Sequence, residues 1–150
     1  MIRRFKTEDA RQVSEIIRRT MRISNAADYP AEILQPLVEY YSPEKILELN
    51  RERVCLVAEV DSKIVGTVAL EAEKLVTFFV QPEAQGAGTG AQLLAAIERL
   101  AFERGIRRLT LDASITAAGF YAKMNYRKIK IRRDGTAGEV VEMEKRLENL

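Results

Sequence analysis

The stretch Val80-Gln81-Pro82-Glu83-Ala84-Gln85-Gly86-Ala87-Gly88-Thr89-Gly90-Ala91-Gln92-Leu93-Leu94 decides how this chain folds. Before it lies an almost continuous apolar run, Leu75–Val80, the mark of a strand buried on both faces. After it comes the strongest helical pattern in the chain, Ala91–Arg104, with Leu93, Leu94, Ile97, Leu100 and Ala101 on one side and Gly105 just past its end. Between them, Gly86, Gly88 and Gly90 permit positive φ and close approach of the backbone to a ligand. The first turn of a helix carries unbonded N–H groups and the positive end of the helix dipole. A glycine loop at this junction is therefore an anion cradle, suited to a phosphate or pyrophosphate.

Two phosphate-binding patterns compete for the loop. A P-loop requires Gly-Lys-Ser/Thr, and Gly90-Ala91-Gln92 does not supply it. The dinucleotide pattern GxGxxG/A is met by Gly86, Gly88 and Ala91, with Asp112 at the end of the next strand in the place of its ribose-binding acid. Against it, residues 81–85, including Pro82, separate Val80 from Gly86. The chain after Asp112 is also too short for a second mononucleotide-binding half.

Outward from the loop, the patterns are equally regular. Ile2–Lys6 reads as a strand, and Thr7 as the N-cap of a helix whose apolar face is Ala10, Val13, Ile16, Ile17 and Met21. A helical stretch from Ala31 is interrupted by Pro36 and restarts at Ser42-Pro43. Val54–Val60 and Ile64–Leu70 form a hairpin around Asp61-Ser62-Lys63. Beyond the loop helix come a strand at Ile106–Leu111, a short helix at Ala117–Met124 ended by Asn125, and strands at Tyr126–Arg132 and Val140–Leu147 around Asp134-Gly135. The order β-α-α-β-β-β-α-β-α-β-β defines a three-layer α/β (α+β type) domain, residues 1–150, with a mixed central sheet.

Composition narrows the chemistry. The 150 residues carry 24 Lys plus Arg against 22 Asp plus Glu, no His and one Cys. Without His there is no Ser-His-Asp triad, no Cys-His protease and no HExxH site, and no metal site is expected. A lone Cys55, alternating with Val57 in a strand, reads as a small core residue and fits a reducing, cytoplasmic setting. The net charge of +2 gives no footprint for nucleic acid, and neither a signal peptide nor a membrane span is legible.

The glycine stretch also resembles the coenzyme A motif of the GNAT superfamily of acetyl-CoA-dependent N-acyltransferases, Gln/Arg-x-x-Gly-x-Gly/Ala, here Gln85, Gly88 and Gly90. Downstream, Phe120-Tyr121-Ala122-Lys123-Met124-Asn125-Tyr126 is similar to that family's second motif, with Asn125 in place of the usual Gly. The likeness is clear over residues 53–130 and weaker over 1–20, and the element order is also the family's.

The resemblance implies an acyl-CoA N-acyltransferase fold and transfer of an acetyl group from acetyl-CoA, as cosubstrate, to a primary amine of a small molecule, peptide or protein. A monomer or homodimer is expected. The alternative it leaves is a coenzyme A-binding module without turnover. By the same resemblance, Gln85, Gly86, Ala87, Gly88, Thr89 and Gly90 hold the pyrophosphate, and the strand Leu75–Val80 splays from Leu109–Leu111. The pantetheine arm pairs along the exposed edge near Phe78 and Val80. Tyr121 faces the thioester sulfur as general acid, and Phe120 packs. Ser114 stands where the family often carries a coenzyme-contacting Asn, and serine can cap the helix or donate to the ligand. Candidates for accepting the amine proton are Glu71 and Glu73, with Asp28, Tyr29, Tyr40 and Tyr41 behind them. Residues 28–50 are the expected acceptor-specificity region. The basic run Lys123, Arg127, Lys128, Lys130, Arg132, Arg133 reads chiefly as a solvated strand face.

Overall fold

A computed structural model describes residues 1–27, 29–133 and 139–148, so Asp28, Asp134 and Gly135 lie outside the described residues. The elements are β1 (Ile2–Arg4), α1 (Ala10–Ile23), α2 (Ala31–Tyr40), α3 (Pro43–Leu49), β2 (Val54–Val60), β3 (Lys63–Glu71), β4 (Lys74–Val80), α4 (Thr89–Glu103), β5 (Arg108–Ser114), α5 (Ile115–Lys123), β6 (Arg127–Arg133) and β7 (Glu139–Arg146). The strands form one mixed sheet in the order β1-β2-β3-β4-β5-β7-β6. Among the described residues its only parallel pair is β4–β5. A single parallel pair leaves no room for the second mononucleotide half of a dinucleotide fold.

Two apolar cores make the three layers. On one face, Leu93, Leu94 and Ile97 of α4 and Tyr121 of α5 pack on Leu56, Val68, Leu109, Leu111 and Val141. On the other, Val13, Ile16, Ile17 and Met21 of α1 join Leu34 and Val38 of α2 and Ile46 of α3 over Val57 and Ile64. Cys55 is buried 3.3 Å from the Thr67 hydroxyl, and burial pushes its thiol pKa up, as suits a core residue.

Local chemistry modifies the expected helices in two places. The entry to α1 is a 3₁₀ turn, Thr7–Asp9, and its cap position is Lys6 rather than Thr7. The Asp9 carboxylate reaches back to accept the Lys6 N–H at 2.7 Å and is gripped by the Arg3 guanidinium at 2.8 and 3.0 Å. The region between α1 and β2 holds two helices. α2 runs through Pro36 to Tyr40, and α3 starts with the Ser42 hydroxyl accepting the Lys45 N–H at 3.2 Å.

The largest departure is in β4. A strand buried on both faces is expected, but only Leu75 is fully buried and residues 76–80 are half-buried. The cause is topological. β4 meets β5 at the single pair Lys74–Thr110, and the two then diverge. The register between β3 and β4 also slips opposite Val68, where Thr77 takes φ 45°. That conformation is costly for a β-branched residue, and such outliers concentrate at functional sites.

Candidate active site

The divergence of β4 and β5 opens a cleft of about 640 Å³. Its walls are residues 75–80 of β4 and 111–114 of β5, its rim includes Gln85, Gly86, Gly88 and Gly90, and Phe120 and Tyr121 of α5 close one side. Phe78, Val80, Gln85, Gly86, Gly88, Gly90, Ser114 and Tyr121 are thereby brought together.

The loop has the geometry of an anion cradle. Gly86 and Gly88 have φ of 85° and 87°, which L side chains rarely adopt. Gly88 is the cap residue of α4, with no side-chain cap, and its carbonyl accepts the Gln92 N–H. The N–H groups before Gln92 therefore open the helix without i−4 partners. At Gly90 a Cβ would lie 3.3 Å from Phe120 Cζ, close enough that the ring would have to give by a few tenths of an ångström. A pyrophosphate fits this donor set. Ala87 and Thr89 do not line the cleft: Ala87 is exposed with its N–H turned to the Ala84 carbonyl, and Thr89 is buried under the helix start. The Gln85 side chain donates to the Val80 carbonyl at 2.9 Å and braces the loop against the strand end.

The strand edge is set up for an extended ligand. The Gln81 N–H bonds to Val65 of β3, so alternation turns the backbone groups of Val80 and Phe78 toward the splayed side. Ser114 caps α5, accepting the Ala117 N–H at 3.1 Å, and leaves its own hydroxyl proton available to the cleft.

Tyr121 is buried in a ring cluster, in edge contact with Phe78 at 5.8 Å, Phe120 at 5.3 Å and Tyr126 at 6.0 Å. Burial pushes its phenol pKa upward, so it is protonated at neutral pH. Its hydroxyl makes no hydrogen bond among the described residues. Tyr126 is held differently, its hydroxyl donating to Glu98 of α4 at 2.8 Å while Lys145 of β7 donates to the other Glu98 oxygen at 2.9 Å.

Glu71 and Glu73 are not in the cleft. Both are exposed at the β3–β4 hairpin tip, Glu71 paired with Arg53 at 3.0 Å. Tyr29 and Tyr41 line the cleft, whereas Tyr40 is exposed and stacks edge-on against Tyr41. Sequence reasoning missed Thr77 as a wall residue, since its bulge depends on the register with β3. It also placed Asp112 only in a rejected dinucleotide pattern, yet Asp112 lines the cleft. Most of the basic run is matched across the sheet, Arg127 by Glu144, Lys130 and Arg132 by Glu142, and Arg133 by Glu139.

A splayed parallel pair with a glycine cradle at its mouth and a protonated tyrosine beside it is the arrangement that the sequence resemblance implied for an acyltransferase. Residues 25–147 match the family model described as Acetyltransferase (GNAT) domain, and the chain belongs to that family. It is similar to the GCN5-related N-acetyltransferase from Rhodopseudomonas palustris, with 27% identity over 98% of this chain and 95% of that one and a TM-score of 0.90. It is also similar to the PaiA N-acetyltransferase from Thermoplasma acidophilum, solved in complex with coenzyme A, with 26% identity over 97% and 98% of the two chains and a TM-score of 0.83. The aminoglycoside 6′-N-acetyltransferase from Enterococcus faecium shares the fold at 15% identity, over 100% and 98% of the chains, with a TM-score of 0.78. Among curated proteins no sequence matches. No helix among the described residues is long and apolar enough to cross a membrane.

Proposed function

We propose that this acyltransferase moves an acetyl group from acetyl-CoA directly to a primary amine, without an acyl-enzyme. The observation that carries the reading is the joining, in one cleft, of the glycine cradle, the free edge of β4 and the Tyr121 hydroxyl. The cradle takes the pyrophosphate on backbone N–H groups, and the pantetheine arm follows Val80 and Phe78 inward. The amine nitrogen then attacks the thioester carbonyl, the C–S bond breaks, and Tyr121 gives its proton to the departing thiolate. Burial keeps the phenol protonated, so the proton is present to be given, and the same burial makes it a weaker acid than a free tyrosine. Glu71 and Glu73 stand outside the cleft, so either can take the amine proton only through water.

The reading is tested by thiol release from acetyl-CoA across a panel of amines, amino acids, polyamines and peptide N-termini. Amine-dependent thiol release with recovery of the acetylated amine is expected. Tight coenzyme binding with no transfer would instead establish a coenzyme-binding module, and no thermal stabilisation at saturating acetyl-CoA or CoA would remove the coenzyme altogether.

A further inference from the structure

The cleft passes through the sheet. Leu111 and Ala113 of β5 lie in the core beneath α4 and α5, so Asp112 between them faces the opposite side. Phe78, Val80, Phe120 and Tyr121 belong to the α4/α5 side, whereas Phe79 packs with α1. The cleft is therefore lined from both faces of the sheet, which it connects where β4 leaves β5.

Asp112 is the one carboxylate that lines the cleft among the described residues. Lys74 Nζ at 2.7 Å and Arg132 at 3.2 Å both hold the same oxygen, Oδ2. Oδ1 has no hydrogen-bond partner among the described residues, and the side chain is 28% exposed. Burial pulls the carboxyl pKa upward, but the two cations outweigh it and hold the group below the ordinary range, so it is ionised and a weak base. It is suited to holding a nitrogen rather than deprotonating it. The polar lining residues that α1, α2 and the segments beside them contribute are hydroxylic: Thr20, Ser24, Tyr29 and Tyr41.

Resting on the transferase reading, we propose that Asp112 Oδ1 anchors the acceptor nitrogen, and that the acceptor is a compact monoamine with a hydroxylated or aromatic body rather than a polycation. A carboxylate oxygen accepts an N–H from an ammonium or a free amine alike. Asp112 offers one open carboxylate oxygen to one nitrogen, whereas a second positive charge would find no further carboxylate in the described lining and would meet Lys74.

The test is calorimetric titration of tyramine, spermidine and kanamycin into the protein with and without CoA, using wild type, Asp112→Asn and Lys74→Met. Wild type is expected to bind tyramine more tightly than spermidine or kanamycin. Asp112→Asn should weaken tyramine binding by about tenfold or more, the loss of a charged hydrogen-bond acceptor, without changing CoA affinity. Lys74→Met removes a competing cation and should leave tyramine binding equal or tighter. The proposal is overturned if tyramine does not bind wild type, if Asp112→Asn binds it equally well, if a polycation binds more tightly, or if Lys74→Met weakens it as much as Asp112→Asn. Failure of the coenzyme reading would appear separately, as absent CoA binding, and the titrations without CoA still judge Asp112.

Discussion

Tyr121 and Gly88 show how single residues divide the work of the site. Tyr121 is buried for the sake of its ring contacts, and the same burial keeps its proton in place at neutral pH. Tyr121→Phe keeps the ring packing and removes the acid. Its kcat is expected to fall by about 10²-fold or more with little change in acetyl-CoA affinity. Unchanged kcat across the pH range would strip Tyr121 of the acid role. Gly88 contributes conformation rather than a group. At φ 87° a Cβ costs about 1 kcal/mol, although nothing within 4 Å would touch it. Gly88→Val should therefore lower the melting temperature modestly. Because the strained loop no longer presents its N–H groups, it should also lose most of the stabilisation that saturating acetyl-CoA confers on wild type.

At the scale of elements, β4 matters more than any helix. Its apolar run predicts a strand with both faces covered, yet the two ends of that run have different fates: Leu75 is fully buried at the closed end of the cleft, and residues 76–80 are half-buried along it. An unassigned ligand and a core both read as hydrophobic residues in sequence, so the run alone could not separate them. The glycine loop and α4 were legible because their signals are local: three glycines, then apolar residues at helical spacing. The Thr77 bulge and the placing of Asp112 were not, because each depends on a partner strand. Element ends also reach the site. Ser114 caps the helix that carries Tyr121, so Ser114→Ala is expected to cost about 1 kcal/mol in urea unfolding. Ser114→Asp, which keeps the cap, should recover it.

Across the whole molecule, polar clasps join the layers that form the cleft. Glu98, 4% exposed on α4, ties Tyr126 to Lys145 of β7, and the Tyr126 ring rests on Tyr121. Tyr126→Phe leaves one buried carboxylate oxygen short of a donor, and a loss of about 1–3 kcal/mol is expected in urea unfolding. A second clasp, Arg3–Asp9, fixes β1 to the start of α1. Its hydrogen bonds to Arg3 hold the Asp9 carboxyl below its ordinary pKa despite burial. Asp9 thus contributes stability that is complete above its unfolded pKa, about 4, and is lost as pH falls through the lower folded value. Stability to urea should drop between about pH 5 and pH 2, and Asp9→Asn should flatten part of that slope; an unaltered slope would assign it to other carboxylates. Neither clasp is visible in sequence, because each joins side chains of separate elements that only the fold brings together. The claim on which all of this converges is that the cleft between β4 and β5 receives acetyl-CoA, with its pyrophosphate on the glycine loop. Titrating acetyl-CoA while following backbone amide resonances measures that directly. Saturable shifts are expected at Gly86, Gly88, Gly90, Phe78 and Val80, and binding that leaves these five amides unmoved would contradict the account.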